Sequence, residues 1–298
     1  MNILFTGGTG LIGQAFINKF RTEHSFTVVS RNTAKAAEIL GNDLSYAASI
    51  AEINDIGVFD AVINLAGEPI ADKRWTDTQK KVICDSRWDT TSQLASKITS
   101  SNNPPKVFIS GSAIGYYGDQ GDFIVDEDTP PKQEFTHELC SKWENIAETA
   151  SSENTRLVLL RTGVVLSPNG GALDKMAMPF KLGVGGTLGT GEQYLAWIHI
   201  DDMVDAIAYL LHSESSSGAF NLTAPNPVTN KVFSKQLANS LNRPCLFNVP
   251  SFVMKIAMGE SSEMILKGQR VIPKKLSEAG YTFTFPTVDK ALKNIYSK

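Results

Sequence analysis

The chain of 298 residues is poor in cysteine: Cys84, Cys140 and Cys245 lie far apart and form no C-x-x-C pair. Neither a disulfide scaffold nor a Cys-ligated zinc site is expected, and free thiols in a reducing compartment are the plainer reading. No run rich in lysine or arginine occurs, and 28 basic residues against 31 acidic ones leave a net charge of -3. A nucleic-acid partner or an anionic lipid surface would need a basic footprint that this balance does not supply. Long hydrophobic runs are missing too: RLVLLRTGVVL is broken by Arg161, and the opening MNILFTGG has no basic segment before its apolar residues. Export and membrane spanning are therefore not expected, and the cytoplasm is the default location. The chain also lacks a GK[ST] after a glycine loop, an H-E-x-x-H, an EF-hand loop and a G-x-S-x-G elbow. Those absences set aside P-loop hydrolysis, zincin and calcium chemistry, and the serine-hydrolase elbow.

What is present is the composition of a soluble globular protein, 42% hydrophobic and 20% charged, with no internal repeat. Its length suits one large α/β domain or a core domain plus a smaller lobe. The first hundred residues alternate short apolar runs with segments of helical period, as in a parallel sheet covered by helices. Strands are predicted at 2–6, 26–30, 61–66, 106–110 and 156–161. Ile12, Phe16 and Phe20 share one helical face between the first two. Thr76 and Gln79 have capping-box spacing and open a long helix to Ser101. Residues 170–191 are glycine-rich around a short helix. WIHIDDMVDAIAYLLH then reads as a strand followed by a helix capped by Asp201 or Asp202 and ending near His212, and GAFNL as a further strand. Prolines 225, 227, 244 and 250 punctuate the remainder, which reads as a separate lobe.

The strongest signal is TGGTGLIG, comprising Thr6, Gly7, Gly8, Thr9, Gly10, Leu11, Ile12 and Gly13, directly after the first strand. Both Gly8-Gly10-Gly13 and Gly7-Gly10-Gly13 fit dinucleotide-binding spacings. One glycine permits a tight turn, one lets the backbone approach a pyrophosphate, and one allows close helix–strand packing. Free amides at the helix N-terminus then hold the anion. At the end of the second strand, where NAD proteins place an acidic residue for the ribose, the chain reads VVSRN. Ser30 and Arg31 offer donors to a 2′-phosphate instead, which favours NADP(H). Lys35, one turn on, reads as a solvated helix residue.

TGGTGLIG, INLAGEPI at 63–70, VFISGSAIGYYGD at 107–119, LRTGVVL at 160–166 and WIHIDD at 197–202 resemble, in order and spacing, the extended short-chain dehydrogenase/reductases of the nucleotide-sugar epimerase branch. The tail, with VPSFVMKIAMGE and ILKGQRVIPKKLSEAGYTFTFPTVDKAL, is similar to the C-terminal domain of unknown function of the atypical epimerase family proteins. The resemblance spans nearly the whole chain. It implies that Leu65, Ala66 and Gly67 lie beside the cofactor ribose and that Ser110 and Ser112 lie near the nicotinamide. Ser112 would be the active-site serine, hydrogen-bonding a substrate oxygen.

One departure from that pattern is decisive for chemistry. The superfamily's Tyr-x-x-x-Lys pair is absent, since none of the seven tyrosines has a lysine four residues later. In THELCSKWENIAE two registers leave Glu138 or Thr136 where the tyrosine belongs. Substitutes are Tyr116 or Tyr117 with a hydroxyl in the cleft, against packing of the cleft wall. Glu68 is a carboxylate base or a partner of Arg74 or Arg87, against an exposed ion pair. His199 reads more as a core histidine than as a titrating group, and Lys142 falls near the nicotinamide ribose in one register. Arg87 stands where relatives often have asparagine, and Arg161 and Arg270 suit a carboxylate or phosphate on the substrate.

The expected architecture is a Rossmann-type doubly wound parallel sheet, residues 1–165 and 196–223, with a smaller α+β substrate lobe from 166–195 and 224–298 and the cleft between them. The expected activity is an NADP(H)-dependent oxidation, reduction or epimerisation of a small polar carbonyl or alcohol, or of a sugar nucleotide. The rival expectation is an NADPH-binding sensor or partner-binding protein without turnover. A homodimer through paired long helices is compatible with the resemblance, and no metal is expected.

Overall fold

The computed structural model describes residues 1–297. In chain order it holds β1 (Asn2–Thr6), α1 (Leu11–Phe20), β2 (Ser25–Val29), α2 (Thr33–Leu40), β3 (Ser45–Ala47), β4 (Ala61–Asn64), α3 (Asp77–Ser100) and β5 (Val107–Ala113). There follow β6 (Gly121–Val125), α4 (Phe135–Glu148), β7 (Arg156–Thr162), β8 (Val164–Leu166), α5 (Ala172–Lys181), β9 (Gly186–Leu188), β10 (Tyr194–Leu195), β11 (Trp197–His199), α6 (Ile200–His212) and β12 (Gly218–Leu222). The C-terminal part carries β13 (Val228–Thr229), α7 (Asn230–Ser240), β14 (Phe247–Val249), α8 (Ser251–Met258), α9 (Glu263–Leu266), β15 (Gln269–Val271), α10 (Lys274–Glu278) and α11 (Val288–Tyr296).

Seven strands form one parallel sheet in the order β12-β7-β5-β4-β1-β2-β3. The chain leaves β1 toward β2 and β3, then crosses back to β4 and runs the other way, so the order reverses between β1 and β4. In open sheets of this kind ligands bind outside the carboxyl ends of the strands at that reversal. The strands read as unbroken apolar runs because both faces are covered. Along β1, Ile3 and Phe5 enter the layer that holds Phe16 and Ile17 of α1 with Met203 and Ile207 of α6. Leu4 points the other way, to Leu94 and Ile98 of α3 and Ala147 of α4. A third cluster, with Trp197, Phe180, Phe233, Leu237 and Leu292, makes the core of the C-terminal part. Among the described residues no helix is long and apolar enough to cross a membrane.

The long helix opens where its capping spacing predicts, with Thr76 accepting from the amide of Gln79 at 3.1 Å. Two boundaries differ from expectation in ways that matter for the site. β5 continues past Ser110 to Ala113 because β7 keeps pairing with it, which puts Ser112 opposite Arg161 inside the sheet. The cap of α6 is neither Asp201 nor Asp202 but His199, whose Nδ1 accepts from the Asp201 amide at 3.1 Å. Asp202 is fully buried and accepts instead from the amides of Thr284 and Phe285 at 2.8 and 2.9 Å, fastening the C-terminal segment to the sheet domain.

His199 is 1% exposed, with its ring 3.9 Å from that of Phe285, and burial lowers its pKa below the ordinary 6.5. A base whose folded pKa is depressed takes up its proton more readily when unfolded, so its contribution to stability is present above 6.5 and lost as pH falls. We expect the urea midpoint to decline below that pH, with a slope from this one group of at most about 1.4 kcal/mol per pH unit. His199→Asn, which keeps a side-chain oxygen for the cap, should flatten the decline.

Candidate functional site

The glycine loop between β1 and α1 lies at the sheet reversal. Gly7 adopts φ +76°, and a Cβ there would stand 2.5 Å from the Leu65 carbonyl. On Gly13 it would stand 2.4 Å from the Gly7 carbonyl and 2.7 Å from Gly8 Cα, so Gly13 is what lets the helix sit against the loop. Gly10 is the N-cap of α1, with ordinary extended dihedrals and no side chain capping the helix. The amides of the first turn are thus left to face the cavity, together with the positive end of the helix dipole. Gly8 serves the core instead, since its Cβ position is filled by Val28 and Ile17. The working triplet is Gly7, Gly10 and Gly13. Thr6 is buried and donates to Asn64 at 2.6 Å, the Thr9 carbonyl accepts from Gln14, and neither lines the cavity.

That loop forms one end of a cavity of about 630 Å³, whose wall also includes Leu11, Ile12, Leu65, Arg87, Ser112, Cys140 and Trp143. Ser30 follows directly on β2, whose Val29 pairs with Thr6 beside the loop, and Arg31 next to it is exposed. Gly67 lies over Arg87, whose Cζ would be 2.9 Å from a Cβ there. The Arg87 guanidinium donates to the Ile83 carbonyl at 3.0 Å and lies 5.4 Å from the Trp143 ring.

Behind the cavity wall, Ser112 donates to Glu144 at 2.5 Å, and Glu144 holds the Arg161 guanidinium through two bonds at 2.8 and 2.9 Å; neither Glu144 nor Arg161 lines the cavity itself. Arg161 in turn donates to the Tyr117 hydroxyl, which donates to Asn221 at 2.7 Å. This buried chain overturns several expectations. Tyr117 is fully buried, its phenol pushed up to about 12 by burial, and it faces the interior rather than the cleft. Tyr116 stacks on Arg161 at 3.5 Å from its ring centre and does not line the cavity. Arg161 does not present its charge to a substrate, because a buried guanidinium needs a carboxylate and Glu144 supplies it.

Other expected site residues are also held elsewhere. Lys142 lies on the exposed side of α4 over Trp88, 3.9 Å from its ring, because it is two residues from Cys140 and Glu144 and so turned away from them. His199 is the core histidine described above. Glu68 pairs with Lys73 at 3.1 Å, while Arg74 donates to the carbonyls of Ile256 and Ala257. Ser110 is buried within β5, Ala66 stands just outside the lining, and Arg270 lies over Tyr194.

Sequence reasoning passed over the pair that does face Ser112. The register anchored on Glu144 counts back four residues to Cys140, not to Thr136, and residues i and i+4 share one helix face. The spacing of Tyr-x-x-x-Lys is therefore kept in α4 with Cys140 and Glu144 in its two places. Burial first, and then the Glu144 charge, push the Cys140 thiol up to about 12, so it stays protonated. The far wall was also unforeseen: Glu134 and Phe135 at the start of α4 meet Glu260, Glu263, Met264 and Lys267 from the C-terminal part.

Comparison with known proteins gives this geometry a family. The model of the NAD dependent epimerase/dehydratase family matches residues 3–223, and that of a domain of unknown function, DUF1731, matches residues 249–295. The chain belongs to the NAD dependent epimerase/dehydratase family. It is 38% identical over 300 residues to the mouse epimerase family protein SDR39U1, covering 99% of both chains. It is 37% identical over 304 residues to the chloroplastic SDR39U1 homolog of Arabidopsis thaliana, covering 99% of this chain and 86% of the homolog. Among solved structures, human SDR39U1 crystallised with NADPH superposes with a TM-score of 0.92 at 35% identity over the whole of both chains. The UDP-glucuronic acid 4-epimerase of Bacillus cereus, with a TM-score of 0.80 and 17% identity over 100% of this chain and 98% of that one, shares the fold of the family.

Proposed function

We propose that this member of the epimerase/dehydratase family binds NADP(H) across the carboxyl ends of its strands and uses it to oxidise, reduce or epimerise a small carbonyl or alcohol. The observation that carries the reading is the uncapped N-terminus of α1, ringed by Gly7, Gly10 and Gly13, opening into the same cavity as Ser112. A Cβ at Gly7 or Gly13 would collide with backbone, and the amides that the glycines leave open suit a pyrophosphate. The NADPH bound to the human relative supports the same assignment. Such a coenzyme supplies hydride donation or acceptance at its nicotinamide.

The chain's own groups handle the proton. Because the Ser112 hydrogen is directed to Glu144, Oγ, which the Cys140 thiol also contacts, keeps a lone pair to accept from a substrate hydroxyl in the cavity. A proton taken from that hydroxyl passes through Ser112 to Glu144, and the Arg161 guanidinium holds the carboxylate in place. In this arrangement residues 1–165 and 196–223 hold the coenzyme and residues 166–195 and 224–298 cover the substrate. The test is turnover of NADPH by purified protein across a panel of carbonyl compounds. Oxidation that is lost in Ser112→Ala, with NADPH affinity kept, is the expected result. A panel that never changes the absorbance of NADPH favours the second reading, a binding protein without turnover, for which the absence of a tyrosine from the cavity lining, among the described residues, speaks.

The preference for NADP(H) over NAD(H) rests on Ser30 and Arg31 at the end of β2. Arg31→Ala should weaken NADPH binding about tenfold, the value of one partly solvated charge-assisted contact, and leave NADH binding unchanged. Parallel fluorescence titrations with the two coenzymes check this, and equal losses for both would count against it.

A further inference from the structure

We infer that the substrate half of the cavity takes an uncharged or cationic molecule with a flat apolar body, and that it rejects nucleoside-diphosphate sugars. This deepens the function proposed above and rests on it, since the coenzyme must fill the glycine-loop end. The wall facing that end carries four carboxylates, Asp119, Glu134, Glu260 and Glu263. Two ammoniums answer them: Lys267 lies 2.9 Å from both Glu134 and Glu263, and Lys80 lies 2.5 Å from Glu260. The wall therefore keeps an excess of negative charge. The N-terminus of α4 adds a partial positive charge there, but its N-cap residue is Glu134 itself.

A sugar nucleotide brings two negative charges on its diphosphate, and sites for such groups present arginine or lysine free of other partners. Of the four arginines near the cleft that the sequence singles out, three are engaged elsewhere. Arg161 is locked to Glu144, Arg74 to the Ile256 and Ala257 carbonyls, and Arg270 lies over Tyr194. Arg87 is the exception, lining the cavity with the Ile83 carbonyl as its hydrogen-bond partner, but it lies under Gly67 on the stretch that follows β4, so its charge is assigned to the coenzyme end. Bringing a diphosphate against this wall would set like charges together in a partly enclosed space, where screening by water is weak.

The apolar part of the lining points to the body of the substrate. Trp75 and Phe135 pack edge to face, with ring centres 5.0 Å apart, and Ile70, Leu139 and Met264 extend the same surface. An aromatic or alicyclic ring can lie against the surface these side chains form together, with a neutral carbonyl or hydroxyl directed toward Ser112. An ammonium on the far side of the ring would meet the carboxylates of the wall.

The first arm of the experiment uses the wild-type protein saturated with NADPH. Three probes of one shape, 2-naphthylmethylamine, 2-naphthylmethanol and 2-naphthoate, are compared by calorimetry with UDP-glucose. The amine and the alcohol should bind, naphthoate at least about tenfold more weakly than the alcohol, and UDP-glucose should not saturate in the millimolar range. Saturation by UDP-glucose at micromolar concentration, naphthoate binding as tightly as the alcohol, or no binding by any of the three ring probes overturns the inference. Coenzyme binding is followed separately by NADPH fluorescence, so failure there strikes the proposed function and failure of the probe series strikes only this inference. As a second arm, Glu134→Gln/Glu263→Gln, which frees Lys267, should raise naphthoate to the affinity of the alcohol; an unchanged ratio also counts against it.

Discussion

Gly10→Ala should lower the affinity for NADPH about a hundredfold while leaving the fold intact. Gly10 has φ -77° and ψ 169°, which any residue adopts, and the nearest atom to an added Cβ is the Gly7 carbonyl at 3.2 Å. The methyl group would therefore be accommodated by a small local shift and would project into the cavity beside the open amides of α1. Two charge-assisted bonds from those amides to the pyrophosphate, each about 1.5–3 kcal/mol, would lengthen or be lost. Gly13→Val provides the contrast: with backbone 2.4 Å from the new Cβ, α1 must lift from the loop, and both melting temperature and binding should fall. Equilibrium titration by NADPH fluorescence, with thermal melts of each variant, separates the two cases. Undiminished binding in Gly10→Ala would remove the cradle from its proposed role.

Glu144→Ala should cost about 3–5 kcal/mol, because it strands the Arg161 guanidinium, 6% exposed, without its carboxylate. For a chain of this size that corresponds to a melting temperature lower by roughly 10 °C. The double replacement Glu144→Met/Arg161→Met should recover much of the loss, since a buried pair exchanged for apolar residues of similar volume is often neutral or better. Denaturant melts of the single and double variants form the test, and an additive loss in the double variant would mean that the pair itself was not the cause. Chemistry should not recover with stability. The double variant removes the acceptor of the Ser112 proton, so any turnover found for the wild type should stay lost.

The positions with a local signature were readable in the chain. The loop TGGTGLIG starts at the last residue of β1, the capping spacing of Thr76 and Gln79 marks α3, and GAFNL marks β12, because each depends on residues close in sequence. The proton-handling group was not readable in the same way. The i, i+4 spacing of Cys140 and Glu144 is visible, but a buried Glu144 looks in sequence like any helix-surface carboxylate, and only β5 brings Ser112 within 2.5 Å of it. Arg161 and Tyr117 misled for the converse reason. Both sit beside the cleft along the chain, yet a charge and a phenol that are buried bind the nearest internal partner, and each had one.

The sequence by itself determined the parallel sheet, the glycine cradle and the lack of an acidic residue at the end of β2, since strand period, helix capping and backbone clearance act over a few neighbouring residues. Only the tertiary structure decided which charged side chains remain available to a ligand. Arg161 and Glu144 are 17 residues apart, and Lys267 lies 133 from Glu134. Pairings across such separations follow from how the sheet and the C-terminal part pack, and each one, once made, withdraws a charge that the sequence alone counts as free.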